Sequence, residues 1–264
     1  MDAVLFDWDG TLLDPLPSLE GATPGPRIGP LMVHALVVAD GEVADRAALD
    51  RAWPGWDDGV TLVVAADGGS LRAARVGVRP DLVVGDLDSL DEAAVHEIEA
   101  MGIPIERASS DKDESDAELA VLAAVERGAT RITVVGAFGG PRLDHGLANA
   151  WLLAHPALEG RDVRLLDVGA RVRLILARPD DRPAEARLDG RAGDLVTLLP
   201  FGGRARGITT AGLHYPLTDD TLVAGPARGL SNVRLADHAA VRIRDGALLI
   251  VEVPVDRSGA MLAR

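Results

Sequence analysis

Gly-Asp-Leu-Asp-Ser (85–89) puts two carboxylates, Asp86 and Asp88, at i and i+2 just past an apolar run. Magnesium takes oxygen ligands and is usually held by one or two carboxylates together with substrate phosphates. The same acids could instead form a turn in which Ser89 caps the following helix. A denser cluster follows in Asp111-Lys112-Asp113-Glu114-Ser115-Asp116. Its four acids repel one another, which a metal or Lys112 would relieve, and Lys112 is also a candidate phosphate contact. The alternative is a solvated loop, with Asp116 opening a helix whose dipole favours a carboxylate. Two glycine-bearing stretches complete the set: Asp67-Gly68-Gly69 and Gly139-Gly140-Pro141-Arg142-Leu143-Asp144-His145. Glycines let backbone N–H groups approach an anion, and Arg142 could clamp a phosphate with two hydrogen bonds. His145 could orient Asp144. Neither GxGxxG nor the Walker A pattern occurs. Carboxylates without histidine or cysteine partners, beside glycines, point to a hard cation holding a phosphate.

These residues sit where apolar, β-branched runs end. Strands are expected near 33–39, 62–66, 82–85, 131–136, 163–167 and 172–176, with helices near 46–53, 70–76, 91–101, 116–127 and 143–154. On the 116–127 helix, Leu119, Leu122 and Ala123 share one face, leaving Glu118 and Glu126 to water. Such alternation predicts an α/β fold, a Rossmann-like layered parallel sheet with ligands outside the carboxyl ends of its strands. This catalytic domain spans 32–178. Beyond it, ARPDDRPAEA (177–186) reads as a polar linker. Short alternating runs then predict a small all-β sandwich over 185–256, with DLVTLLP and GITTAGLHYPL as separate strands and Asp245-Gly246 as a hairpin turn. Residues 18–30, rich in Pro and Gly, read as a linker behind an N-terminal extension over 1–31.

The chain has 264 residues, 47% of them hydrophobic, enough for one large or two modest domains. Its 41 acids against 27 bases leave a net charge of −14, which argues against general nucleic-acid binding. A polyphosphate would be repelled unless a divalent metal neutralised it. Eight aromatics offer little base-stacking surface, and the lack of cysteine removes disulfides and thiolate chemistry. Without a long apolar span or a signal segment, a soluble cytoplasmic protein with no membrane partner is expected.

With these stretches assembled, the chain resembles the thiamine pyrophosphokinase family. ADGG (66–69), PDLVVGDLDS (80–89), DKDESDAELA (111–120) and GAFGGPRLDHGLAN (136–149) occur in that family's order and spacing. GDLVTLLP (193–200), TTAGLHYPL (209–217) and GLSN (229–232) match its β-domain, so the resemblance runs from about Val33 to Val253. It implies transfer of pyrophosphate from ATP to the hydroxyethyl group of thiamine, yielding thiamine diphosphate and AMP. It also implies a homodimer with sites at the subunit interface. By motif, Asp86, Asp88 and Asp116 would hold Mg²⁺. Asp67, Gly68, Gly69, Lys112, Ser115, Gly139, Gly140, Arg142 and Asp144 would contact nucleotide or thiamine, with Ser231 and Asn232 on the thiamine side. Asp144 or Asp88 would accept the alcohol proton, and Tyr215 would either lie near the thiamine ring or be structural. Pro141 adds one residue to the family's GGR-x-DH pattern, Ser115 replaces threonine, and Val233 replaces glutamate. The first and last of these departures leave open a non-catalytic sensor of thiamine diphosphate or nucleotide.

One further string stands apart. LFDWDGTLLD, with Asp7 and Asp9, resembles the first motif of haloacid-dehalogenase-type phosphatases, in which the first Asp is a nucleophile. The further motifs of that family do not follow. The string reads as a fusion remnant, or as sequence ahead of a true start at Met32; a phosphatase using Asp7 is the remaining alternative.

Overall fold

Six strands pair in parallel through the first half of the computed structural model, which describes residues 32–109, 111–178 and 182–255. The order along the chain is β1 (Val33–Val38), α1 (Arg46–Ala52), β2 (Val60–Ala66), α2 (Gly69–Arg72), β3 (Leu82–Gly85), α3 (Glu92–Ala100), β4 (Ile105–Arg107), α4 (Asp116–Glu126), β5 (Ala129–Val135), α5 (Leu143–Leu152) and β6 (Asp162–Leu166). The Asp7 string and the 1–31 extension lie outside the described residues. Across the sheet the order is β4-β3-β2-β1-β5-β6. The chain therefore steps outward from β1 to β4 and returns to the other side of β1 with β5. By the general rule for open α/β sheets, that reversal puts the expected ligand crevice at the carboxyl ends of β1 and β5.

The central strands form because their β-branched runs are covered on both faces. On one side Leu49, Trp53, Val76 and Ile98 pack against Leu36, Val38 and Val83. On the other, α4 lies on Ala35, Val37, Val64 and Ile132 through Ala120, Val121, Ala123 and Ala124. The buried stripe of α4 is thus Ala120, Val121, Ala123 and Ala124: Ala123 lies on it as expected, while Leu119 and Leu122 are half-buried beside it. Small side chains let the helix approach the sheet, and Leu119 packs at its edge.

After β6 the direction reverses. Strands β7 (Arg171–Ala177), β8 (Ala184–Asp189), β9 (Leu195–Ala211), β10 (Asp220–Val223), β11 (Asn232–Val233), β12 (His238–Ile243) and β13 (Asp245–Val253) pair antiparallel, and β7 joins β6. Ala184, Glu185 and Ala186, expected in a linker, belong to β8. The two runs expected as separate strands form one strand, β9, of 17 residues. Asp245-Gly246 is not a hairpin turn. β12 pairs with β8 and the end of β9, whereas β13 pairs with β7 and the beginning of β9. The chain passes from one set of pairings to the other at Arg244, over a core that includes Leu188, Leu198, Val241 and Ile250. Gly246 makes that passage possible: its φ is +92°, and a Cβ there would stand 2.3 Å from the Arg204 carbonyl oxygen.

A buried charge cluster ties the β strands together. The Glu252 carboxylate accepts from Arg171 Nε and Nη2 (both 2.8 Å), Arg234 Nη2 (2.6 Å) and Arg173 Nη2 (3.1 Å). Arg171 also lies over the Trp53 ring, 4.7 Å from its centroid, which joins this cluster to the end of α1.

Candidate active site

The carboxylates of Asp67, Asp86 and Asp116 converge, with one oxygen from each lying within 4.8 Å of the others. Three elements deliver them. Asp67 follows β2 in a left-handed conformation (φ 42°), and its N–H donates to Val84 O, closing the β2 end against β3. Asp86 follows β3. Asp116 is the first residue of α4, behind an N-cap in which Ser115 Oγ accepts from Glu118 N at 3.2 Å. Gly85 lets them meet: at φ +152°, a Cβ there would stand 3.0 Å from Asp67 Cβ and 3.1 Å from Asp116 Oδ1.

Asp67 is 1% exposed, and its Oδ1 is buried without a hydrogen-bond partner. Burial, aided by the charge of Asp116 and opposed by hydrogen bonds from Ser89, pushes its carboxyl up to about 6. An all-oxygen donor set with one buried, unpartnered oxygen fits a hard divalent cation. Lys112 Nζ bridges two of these acids, 2.5 Å from Asp116 Oδ1 and 3.7 Å from Asp86 Oδ2. Burial pulls the Lys112 pKa down, but the Asp116 hydrogen bond and the surrounding acids outweigh it, and the net shift is upward.

Asp88 stands outside this trio, and Asp67 completes it. Leu87 is buried with a φ of 67°, and the exposed Asp88 that follows keeps its carboxyl close enough to Asp67 to help raise it. The Asp88 N–H donates to Asp86 Oδ1 (3.3 Å) and its Oδ1 accepts from Ser89 Oγ (3.2 Å).

The glycines serve close packing around the crevice. A Cβ on Gly69 would meet Val38 O at 2.1 Å, and one on Gly139 would meet Glu42 Cβ at 2.6 Å. Gly140, at φ +76°, faces open space. Gly139, Gly140, Pro141, Arg142, Asp144 and His145 are all exposed. Arg142 forks onto Asp144, with Nε 2.9 Å from Oδ1 and Nη2 2.5 Å from Oδ2. These hydrogen bonds hold the Asp144 carboxyl down at about 2. Arg142, and not His145, therefore orients Asp144.

A residue missed in the sequence also lines the crevice. Asp40, two residues past β1, accepts from Arg72 Nη1 at 2.5 Å, and Arg72 also donates to Gly68 O at 3.0 Å. A Cβ on Gly68 would lie 2.2 Å from Asp40 Oδ1. Burial raises the Asp40 pKa against the pull of Arg72. The signal was present: LVVAD-G ends as AADGG does, in an acid and a glycine after an apolar run.

In the β half, Ser231 is held at φ 53° and its N–H donates to Thr197 Oγ1 at 2.9 Å. Asn232 is buried, and its side chain is engaged by the backbone. Oδ1 accepts from Tyr215 N and Val233 N, both at 2.9 Å, while Nδ2 donates to Tyr215 O at 2.7 Å. Asn232 thus fixes the segment that carries exposed Tyr215, whose ring meets His214 edge-on at 4.6 Å.

Two family models match the chain in order. "Thiamin pyrophosphokinase, catalytic domain" matches residues 56–165, and "Thiamin pyrophosphokinase, vitamin B1 binding domain" matches 185–248. The chain is 26% identical to thiamine pyrophosphokinase of Bacillus subtilis over 75% of its own length and 89% of the relative's. It is 25% identical to thiamine pyrophosphokinase 1 of Oryza sativa over 89% of this chain and 92% of that one. Among solved structures, the Bacillus subtilis thiamine pyrophosphokinase superposes with a TM-score of 0.70 at 24% identity, covering 84% of this chain and 99% of the other. That of Geobacillus thermodenitrificans gives 0.68 at 25% identity, covering 86% and 100%. With both domain models matched in sequence and the fold shared over nearly the full length of these structures, the chain belongs to the thiamine pyrophosphokinase family.

Proposed function

We propose that this protein transfers the pyrophosphoryl group of ATP to the hydroxyethyl oxygen of thiamine, giving thiamine diphosphate and AMP. The observation that carries this reading is the carboxylate trio at the ends of β2 and β3 and the start of α4, in a chain of this family. Asp67, Asp86 and Asp116, with Asp88 alongside, would hold Mg²⁺, which when bound draws charge off phosphate oxygens. The thiamine hydroxyl attacks the β-phosphorus, the bond from that phosphorus to the α–β bridging oxygen breaks, and AMP leaves with that oxygen. Such transfers depend on positioning and charge more than on covalent catalysis. Lys112 and Arg142 supply positive charge as the bond breaks. The hydroxyl proton passes to Asp144 or Asp88; Arg142, while paired with Asp144, weakens that carboxylate as a base.

Gly68, Gly69, Gly139 and Gly140 shape the nucleotide side, with Ser115 at its edge as the α4 cap. Ser231 and Asn232, through the Tyr215 segment, form the thiamine side. The reading divides the chain into a catalytic domain over 32–178, Rossmann-like in its six parallel strands, and a β-sandwich over 185–256. A homodimer with shared sites is part of the proposal; exposed Leu143, Leu147 and Trp151, at helical spacing on α5, are consistent with it. The proposed compartment is the cytoplasm, and among the described residues no helix is long and apolar enough to cross a membrane.

The test is to incubate the purified protein with ATP, Mg²⁺ and thiamine and follow both products. AMP and thiamine diphosphate should appear in equal amounts. Formation of ADP and phosphate, or thiamine binding without AMP, would overturn the reading.

A further inference from the structure

Lys112 is the only lysine in the sequence, against 26 arginines. Wherever else this chain needs a basic side chain, it uses a guanidinium, a planar fork suited to paired hydrogen bonds. The single ammonium, a compact point charge, sits against the carboxylate trio. It is 13% exposed, and it bridges Asp116 Oδ1 and Asp86 Oδ2. Asp116 Oδ1 is also the oxygen that approaches Gly85, on the side of Asp67. The ammonium therefore stands against the trio and engages two of its three acids, as a metal ion would.

We propose that Lys112 is a displaceable counter-ion: it occupies the metal site while no divalent cation is bound, and metal entry drives it off Asp86 and Asp116 toward the phosphates of the nucleotide. The inference rests on the reading of the trio as a metal site. Three acids crowded around a buried oxygen repel one another, and a tethered cation keeps them assembled without metal. A divalent cation and the ammonium repel when both face the same oxygens. The flexible four-carbon lysine stem lets it yield while its charge stays in the site, where the incoming polyphosphate can use it. Binding of metal and release of the phosphate-binding charge become one event.

Because only Lys112 and the chain's terminal amine can react, an amine-reactive reagent reads this side chain directly in the full-length protein. Labelling of Lys112, followed by mass spectrometry, should be slow in EDTA and speed up several-fold when Mg²⁺ is added without nucleotide. In parallel, calorimetric titration with Mg²⁺ should show Lys112→Met binding the ion roughly tenfold more tightly than the parent, the scale expected for removing one opposing charge from a part-buried site. Unchanged or slower labelling in Mg²⁺ overturns the proposal, as does equal or weaker Mg²⁺ binding by the variant or no Mg²⁺ binding by either form. Product formation from ATP and thiamine by the parent protein is scored separately. A displaced Lys112 without those products would fault the proposed activity and leave the counter-ion intact.

Discussion

Gly85 and Asp67 approach so closely that a Cβ on the glycine would stand 3.0 Å from the aspartate's Cβ. This contact draws the ends of β2 and β3 together and lets Asp67 meet Asp86 and Asp116. Gly85→Ala should therefore cost about 2 kcal/mol in urea unfolding, from the strained φ and the crowding. It should also lower turnover by at least about tenfold through misplacement of the trio. Parent-like turnover would show that the trio does not need this approach.

The Asp67 carboxyl, raised from 3.8 to about 6, makes the metal-free protein pH-sensitive. A group whose folded pKa is raised contributes stability below its unfolded pKa, and that contribution is lost as pH rises through the folded value. Asp67 should thus weaken the fold in EDTA between about pH 4 and 6, by roughly 2 kcal/mol. Asp67→Asn, which stays neutral, should match the parent near pH 4 and exceed its stability at pH 7.5. Paired urea titrations at the two pH values check this, and a constant difference between the two proteins would contradict it.

Arg142 holds Asp144 near 2, and in Arg142→Ala that carboxyl should return toward the ordinary aspartate range. An NMR titration of the Asp144 carboxyl carbon reads the change. Loss of the guanidinium should also reduce kcat by about a hundredfold if it meets the departing phosphoryl charge. A rise in pKa with unchanged kcat would confine Arg142 to orienting Asp144.

Glu252 is 1% exposed and neutralises parts of three guanidiniums. Removing it in Glu252→Ala leaves Arg171, Arg173 and Arg234 buried without their carboxylate and should cost about 3–5 kcal/mol. Thermal unfolding is the measurement, and a change below about 1 kcal/mol would mean that water or backbone takes over the guanidinium contacts.

Asn232→Ala should lose about 2 kcal/mol by freeing the backbone of Tyr215. It should raise the KM for thiamine several-fold while leaving the KM for ATP near the parent value. Equal increases in both would argue against a separate thiamine side.

The sequence by itself determined the parallel half of the fold and the residues at its strand ends. Runs such as LVVAA and DLVVG are buried on both faces, so their composition marks them as strands whatever surrounds them, and the acids that end them stand where such sheets bind ligands. Tertiary structure decided what depends on contacts distant along the chain. β4 is three residues long and mostly exposed, and exists because β3 pairs with it. The 17-residue β9 follows from pairing with β10, β12 and β13, and the change of partner at Arg244 from pairing of β12 with β8, which no local turn signal encodes. In the site, the spacing of Asp86 and Asp88 offered two equal acids. Burial and the gap at Gly85 brought in Asp67 beside Asp86 and Asp116, with Asp88 exposed next to Asp67. Carboxylate type is written in the chain, but which oxygens face one another depends on packing, because that choice is made by side chains far apart in sequence competing for the same small volume.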